Sequence, residues 1–417
     1  MVAEQAQRVW DNLQQIPRTS APGTDGQTVP EAEATFDSWI DPMLRSVHQQ
    51  GYRAPAIRRV YIPKPGKHEK RPLGVPCVAD RALQRSVAEV LSAIYEQDFL
   101  PCSFGGRPGR SAHNALATLH EAVAGQKVSW VLEADLKDFF GSLNHEWLLR
   151  FVEHRVGDPR LIKLIRRWLK AGVLEDGTVH PNEQGTPQGG SISVLVSNIY
   201  LHYVLDLWFE YVVKPRLQGE AYLVRYIDDF VLCFQYRTDA VRVRDALGKR
   251  LGRFDLSLEP DKTKLVAFGR FAQRDARRQG HRRPQTIYFV GFTLYCSYNR
   301  KGRFRVGLRT EKSRLQRSLS RLFDLMRRNR HLPLRMQAAC IHQVLRGHYA
   351  YYGVAGNFRA LQRLYRAVER YWRHVLSRRS RAGHVSWRRF WRIVARYPLA
   401  RPKLALPYSE LRACATL

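Results

Sequence analysis

Three aspartates stand where carboxylates are expensive. Asp135 closes an apolar run, VSWVLEADL (128–136), while Asp228 and Asp229 sit between two β-rich segments in AYLVRYIDDFVLCFQ (221–235). An acid at the end of a buried strand costs free energy unless it meets a cation or an ion-pair partner. Three acids delivered by two adjacent strands can hold two Mg²⁺ ions about 3.5–4 Å apart. One ion would make a hydroxyl nucleophilic, and the other would hold a triphosphate and its leaving pyrophosphate. Mg²⁺ suits such a site because it needs few protein carboxylates and completes its shell with phosphate and water. Side chains alternate along a strand, so the turn must rotate one of the paired acids, which favours Asp228 over Asp229 as a ligand. Taken alone, Asp-Asp is also an ordinary surface hairpin tip.

Other residues offer anion chemistry. Lys64 and Arg71 flank a Lys- and Gly-rich hairpin tip, PKPGKHEKRP, and suit triphosphate oxygens, lysine as a point charge and arginine as a fork. A solvated basic loop is the plainer alternative. In TPQGG, Pro187 stiffens the turn beside Gln188, and Gly189 and Gly190 allow close backbone approach. Arg107 and Arg110, in GGRPGR, are candidates for nucleic-acid phosphates or for the backbone where a helix begins.

The elements that position these residues follow from periodicity. Helices are predicted near 3–15, 32–50, 79–99, 112–124 and 239–254. Strands are predicted at 57–63, 128–136, 286–296 and 303–309, with a hairpin at 221–235. The apolar-rich stretch 191–213 is broken every fourth residue by His202, Asp206 and Glu210, which reads as an amphipathic core helix and not a membrane span. From about 310 the pattern turns helical throughout, so an α+β part precedes an all-α part, with a boundary near 305–310.

Charge divides at the same place. The 417 residues hold 69 Lys+Arg against 37 Asp+Glu, a net of +32, and beyond residue 300 there are 28 basic and only 4 acidic residues. Such an excess excludes most metabolic enzymes and points to a polyanion, nucleic acid first. Arg359, Arg363, Arg366, Arg370 and Arg373 recur in steps of four and three, a stripe opposite Leu361, Leu364, Val368 and Trp372. Trp387, Phe390 and Trp391 are expected to form a small core in the basic end. Six cysteines without a Cys-x-x-Cys pair argue against zinc and disulfides. No signal-peptide pattern opens the chain, which is expected to be cytoplasmic without membrane contact.

In order, IPKPGKHEKRPLGVPCVADRALQ (62–84), SFGGRPGRSAHNAL (103–116), ADLKDFF (134–140), GTPQGGSIS (185–193), YIDD (226–229), LSLEPDKTKLVAFG (256–269) and FVGFTL (289–294) resemble the motifs of reverse transcriptases of the group II intron type. APGTDGQTV (21–29) resembles the N-terminal loop of that type. The resemblance implies a right-hand polymerase: an N-terminal extension with a template-contacting loop (1–55), fingers and palm (56–304), a maturase-like helical thumb (305–378) and a small basic DNA-binding-like segment (379–417). It implies catalysis by Asp135, Asp228 and Asp229 with two Mg²⁺, Mn²⁺ substituting, on dNTPs and a primer annealed to RNA or DNA. It assigns Lys262 as proton donor to pyrophosphate and Phe140 as the ring under the sugar that excludes a 2′-hydroxyl. A homodimer is left open. Ile227 departs from the alanine common in intron-encoded relatives; as a β-branched residue it is expected in a strand. No HNH nuclease is expected. Host DNA repair by filling short annealed overlaps, intron maturation or mobility, and phage defence are the roles consistent with such a chain.

Overall fold

The computed structural model describes residues 2–63, 70–182, 184–186, 190–379 and 383–416, with side chains from residue 4 onward. Among them eleven strands form three sheets. In chain order these are β1 (Ile57–Pro63), β2 (Lys70–Val75), β3 (Trp130–Ala134), β4 (Val173–Glu175), β5 (Thr178–His180), β6 (Ala221–Tyr226), β7 (Asp229–Phe234), β8 (Lys264–Ala267), β9 (Ile287–Phe289), β10 (Phe292–Tyr298) and β11 (Phe304–Thr310). The fingers sheet has the order β2-β1-β4-β5, the palm sheet β6-β7-β3-β8, and a third sheet β11-β10-β9.

The palm sheet is antiparallel throughout. Its central strands are apolar on both faces because both are covered. Alternation then splits each strand between two cores. Leu132, Ala134, Leu232 and Phe234 face the helices that include Val196, Leu205 and Leu247. Val131, Val231 and Cys233 face Ala115, Leu119, Ile287 and Phe292. The N-terminal helix, Val2–Gln14, buries Val9 and Leu13 in the first of these cores beside Leu83 and Leu91 of the helix Val78–Tyr95. Gly23 lets the following loop lie flat on the fingers, since a Cβ there would stand 2.6 Å from the Cys77 nitrogen.

The stretch expected to be one amphipathic helix is α-helical only from Ser193 to Leu201. It then widens into π turns over His202–Asp206 and Trp208–Val213. His202 and Asp206 are buried, so polarity did not mean exposure here. The reason is an internal partner for Asp206, the guanidinium of Arg225 on β6.

The last sheet ends at Thr310 and the helical part opens at Lys312, so β11, which the expected thumb range of 305–378 takes in, is a sheet strand and the helical part begins beyond it. Helices Lys312–Arg328, Leu334–Tyr352 and Phe358–Ser377 pack around Leu322, Met326, Ile341, Leu345, Leu361, Leu364 and Trp372. This is the mixed α+β palm and fingers with a helical thumb. In the basic end, Phe390 is buried against Trp372, but Trp387 and Trp391 are 41% and 49% exposed and stack on each other at 5.6 Å. They are not core residues: the ten-residue helix Trp387–Arg396 packs Phe390, Ile393 and Val394 against the thumb core and leaves both tryptophans outside it. No described helix is long and apolar enough to cross a membrane.

Candidate active site

β6 and β7 form a hairpin in which Tyr226 pairs with Asp229, leaving Ile227 and Asp228 as a two-residue turn. Such turns need positive φ at a central residue. Here Ile227 supplies it, at φ +59°. This corrects the expectation of a strand residue. A β-branched side chain in the left-handed region is a true outlier, and the strain is of order 1–3 kcal/mol. The turn swings Asp228 off the strand alternation, while Asp229 keeps its place at the start of β7.

Asp135 follows β3, whose Ala134 pairs with Phe230 of β7. The register therefore brings Asp135 to the same end of the sheet as Asp229. The main-chain carbonyl of Asp135 accepts from the Glu259 N–H at 2.8 Å, which ties it to the EPDKT turn, and its carboxylate is ion-paired with Lys262 of that turn. Hydrogen bonding to Asp135 raises the Lys262 pKa.

The electrostatics link the three acids. Burial pushes the Asp229 carboxyl up to about 7, and repulsion by Asp228 and Asp135 adds to it. Burial also raises Asp228, with Asp135 contributing and Arg71 and Lys262 opposing. Arg71, exposed on β2, is thus near enough for its charge to act on Asp228. Glu133, two residues before Asp135 on β3, is likewise raised to about 7 by burial. Two partly buried carboxyls made less acidic by desolvation and by a third beside them are a hard-oxygen donor set that fits a divalent cation. As they stand, no three acids, histidines or cysteines among the described residues are grouped closely enough to coordinate one. Asp135 is turned toward the Lys262 ammonium instead.

Phe140 lies on the short helix Phe139–Ser142, partly buried edge-on to Phe139. Its carbonyl accepts from the Thr186 N–H at 2.8 Å, so the loop leading to Gln188 and Gly189 starts beside it. Gln188, Gly189 and Lys64 lie outside the described residues.

Two arginine assignments are corrected. Arg107 is buried: its Nε and Nη2 clasp Glu96, and Nη1 donates to the carbonyls of Leu100 and Ser103. With its donors spent internally it has none for a phosphate; it fastens the Gly/Pro/Arg loop to the end of a helix. Arg107→Ala should cost roughly 2–4 kcal/mol of stability in chemical denaturation while leaving the salt dependence of nucleic-acid binding unchanged. Arg373 likewise donates to the Val385 carbonyl at 2.9 Å and covers the Trp387 ring, so it leaves the stripe to brace the C-terminal segment. Arg110 donates to the Pro101 carbonyl at 3.0 Å, a backbone contact just before the helix that Ser111 caps. Arg359, Arg363, Arg366 and Arg370 are exposed on one face of Phe358–Ser377, and the first two line a cavity of about 900 Å³ between thumb and palm with Tyr288, Arg309 and Lys312.

Sequence reasoning missed what surrounds the acids. The Val290 N–H donates to Asp229 Oδ2 at 3.3 Å, and the charge of Arg314, on the first thumb helix, opposes the rise in Asp229. Val290 and Gly291 form the tight β9–β10 turn with φ of +42° and +80°. Tyr351 Oη donates to the Val290 carbonyl at 2.8 Å, and the Glu311 N–H donates to the Gly291 carbonyl at 3.1 Å. The signal for this turn was present in FVGF, whose Val-Gly pair sits between two phenylalanines.

Residues 62–294 match the family described as "Reverse transcriptase (RNA-dependent DNA polymerase)". Protein YkfC of Escherichia coli K12 is 34% identical over 278 residues, 58% of this chain and 72% of that protein. The group II intron-encoded protein LtrA of Lactococcus lactis subsp. cremoris is 37% identical over 180 residues, 42% of this chain but only 30% of LtrA. An uncharacterised 91 kDa protein in a cob intron of Schizosaccharomyces pombe is 37% identical over 171 residues, 41% of this chain and 21% of its own length. The chain thus spans less than a third of the matched intron-encoded proteins, yet more than half of it lies within the matched region, and it belongs to the reverse transcriptase family.

Proposed function

We propose that the chain is an RNA- and DNA-templated DNA polymerase that extends primers with dNTPs. The observation that carries this reading is the meeting of Asp135, Asp228 and Asp229 at one end of the palm sheet, where the three act on one another and the charge of Arg71 acts on Asp228. These three residues would hold two Mg²⁺ ions, or Mn²⁺ in their place. When bound, the ions supply the charge that activates the primer hydroxyl and neutralises the pyrophosphate. Arg71 and Lys64 grip the triphosphate, Gln188 and Gly189 support the base pair being formed, and Lys262 leaves Asp135 to protonate pyrophosphate. The direct test is primer extension by the intact chain on matched RNA and DNA templates, abolished by chelation and restored by Mg²⁺. No incorporation on either template would end the polymerase reading.

Phe140 sets sugar choice in this reading. Phe140→Ala should reduce discrimination against rNTPs roughly 10- to 100-fold, since a filled volume that rejects one hydroxyl is worth that much. Competition between dNTP and rNTP in single-nucleotide incorporation measures it. Unchanged discrimination would remove Phe140 from the sugar site.

The basic end is proposed to hold unpaired nucleic acid. It has no acid between residues 371 and 409. With the helix Leu334–Tyr352 it walls a cleft of about 1270 Å³ lined by Arg335, His342, Arg346, Arg396, Arg401 and Lys403, and it carries the exposed Trp387–Trp391 stack. Arginine beside exposed aromatic faces suits single strands. A polymerase that grips a strand beyond its duplex would serve repair by annealing and filling short overlaps. The same surfaces favour a second reading, a maturase that folds intron RNA.

A further inference from the structure

The strained turn that carries Asp228 raises the question of what holds it. Ile227 is left-handed, and nothing within a two-residue turn prevents it from relaxing and taking Asp228 with it. The answer lies beneath the sheet. Arg225 Nη1 donates to the Ile227 carbonyl at 3.0 Å. The same nitrogen donates to Asn198 Oδ1 at 2.9 Å, and Asn198 Nδ2 donates to the Gly105 carbonyl at 2.7 Å. Gly105 in turn presses on the turn: a Cβ there would fall 2.6 Å from Ile227 Cγ1 and 2.7 Å from its nitrogen.

The guanidinium is not free to follow a moving carbonyl. Its Nε and Nη2 are clasped by both oxygens of Asp206, at 2.8 and 2.6 Å. The Arg225 and Asp206 side chains are both 0% exposed, and Asn198 is fully buried. The Arg225 backbone is fixed as well, between the carbonyl of Cys102 and the N–H of Phe104. Asp206 reaches it from the π-turn stretch His202–Asp206, where the extra residue per turn re-aims side chains.

We infer that Arg225, Asn198 and Asp206 are positioning residues that lock the Ile227–Asp228 turn in its strained form and so place the Asp228 carboxylate. A buried bidentate ion pair is weak evidence of added stability, and its better-attested use is to specify one conformation. Beyond the pair, Arg225 Nη1 divides its donors between Asn198 and the one carbonyl whose orientation decides where Asp228 points. None of the three touches the reacting groups. The inference rests on the polymerase reading, in which Asp228 is a ligand.

The test is Arg225→Lys, which keeps the charge but cannot clasp Asp206 and reach the Ile227 carbonyl together. Single-turnover incorporation should fall about 10- to 100-fold, as expected when a catalytic group moves by about 1 Å, with primer–template Kd and the KM for dNTP within about twofold of wild type. Adding Ile227→Gly should restore most of the lost rate, because glycine holds a positive φ without a brace. A purely structural role for Arg225 would lower the melting temperature and would not be rescued at residue 227. If Arg225→Lys fails to fold, Asn198→Ser removes the same support from the other side and should show the same kcat loss and the same glycine rescue. A wild-type rate in the folded variant, or a loss that glycine leaves untouched, overturns the inference. Wild type and Asp228→Asn run alongside separate the failures: no incorporation by the wild type ends the polymerase reading; extension by Asp228→Asn within tenfold of wild type removes Asp228 from the chemistry, and the inference with it; an inactive Asp228→Asn beside a fully active Arg225→Lys overturns only the positioning role.

Discussion

Asp228→Asn should lower primer extension by at least about 10³-fold, roughly 4 kcal/mol of transition-state stabilisation, while the protein folds and binds primer–template as before. The substitution is nearly isosteric and removes one negative charge from a group already disfavoured by burial and by Asp135. Relieving that repulsion costs the fold nothing, so the melting temperature should hold or rise. Single-turnover extension, filter binding and thermal melting together check the prediction. Activity within tenfold of wild type would remove Asp228 from the chemistry. The same variant separates catalysis from RNA folding: intron-RNA binding should survive it, because the thumb arginines lie on other elements. A cellular role that also survives would assign the biology to binding.

Neutralising Arg363, Arg366 and Arg370 together should have the next largest effect. All three are exposed on one face of a helix whose opposite face is the thumb core. Each phosphate that loses its arginine takes about 0.9 from the slope of log affinity against log salt, so the triple change should flatten it by about 2–3. Affinity should fall by a similar factor for unrelated sequences, since phosphates carry no sequence information. Titration of primer–template at several salt concentrations gives the slope directly. An unchanged slope would return these arginines to the solvent and leave the charge excess without a ligand.

Much of the site was legible because it is local. An apolar strand ending in aspartate and a β-rich pair flanking Asp-Asp announce a buried edge with acids, and β3, β6 and β7 lie where those patterns put them. The arginine stripe was legible for the same reason, since a helix writes its faces into spacing. Charge was a poorer guide. Arg107 and Arg373 fit a basic pattern yet are used within the protein, and Asp206 sits in a run whose polar residues suggested a wet face. In each case the deciding partner is on another element: Glu96, the Val385 carbonyl, Arg225. Spacing records which way a side chain points along its own element, and it is silent about what waits there. Ile227 shows a second limit. Its β-branched side chain suits a strand, and only the two-residue register between Tyr226 and Asp229 forces it into the turn.

The β9–β10 turn has one more consequence. Its Val290 N–H holds Asp229, while Tyr351 and Glu311, at the far end of one thumb helix and just before another, hold its two carbonyls. The thumb is therefore not a flap hung beside the palm. Any swing of those helices drags a clasp fastened to the strand that carries Asp229, so in the proposed polymerase gripping the duplex and aligning the carboxylate share a single joint.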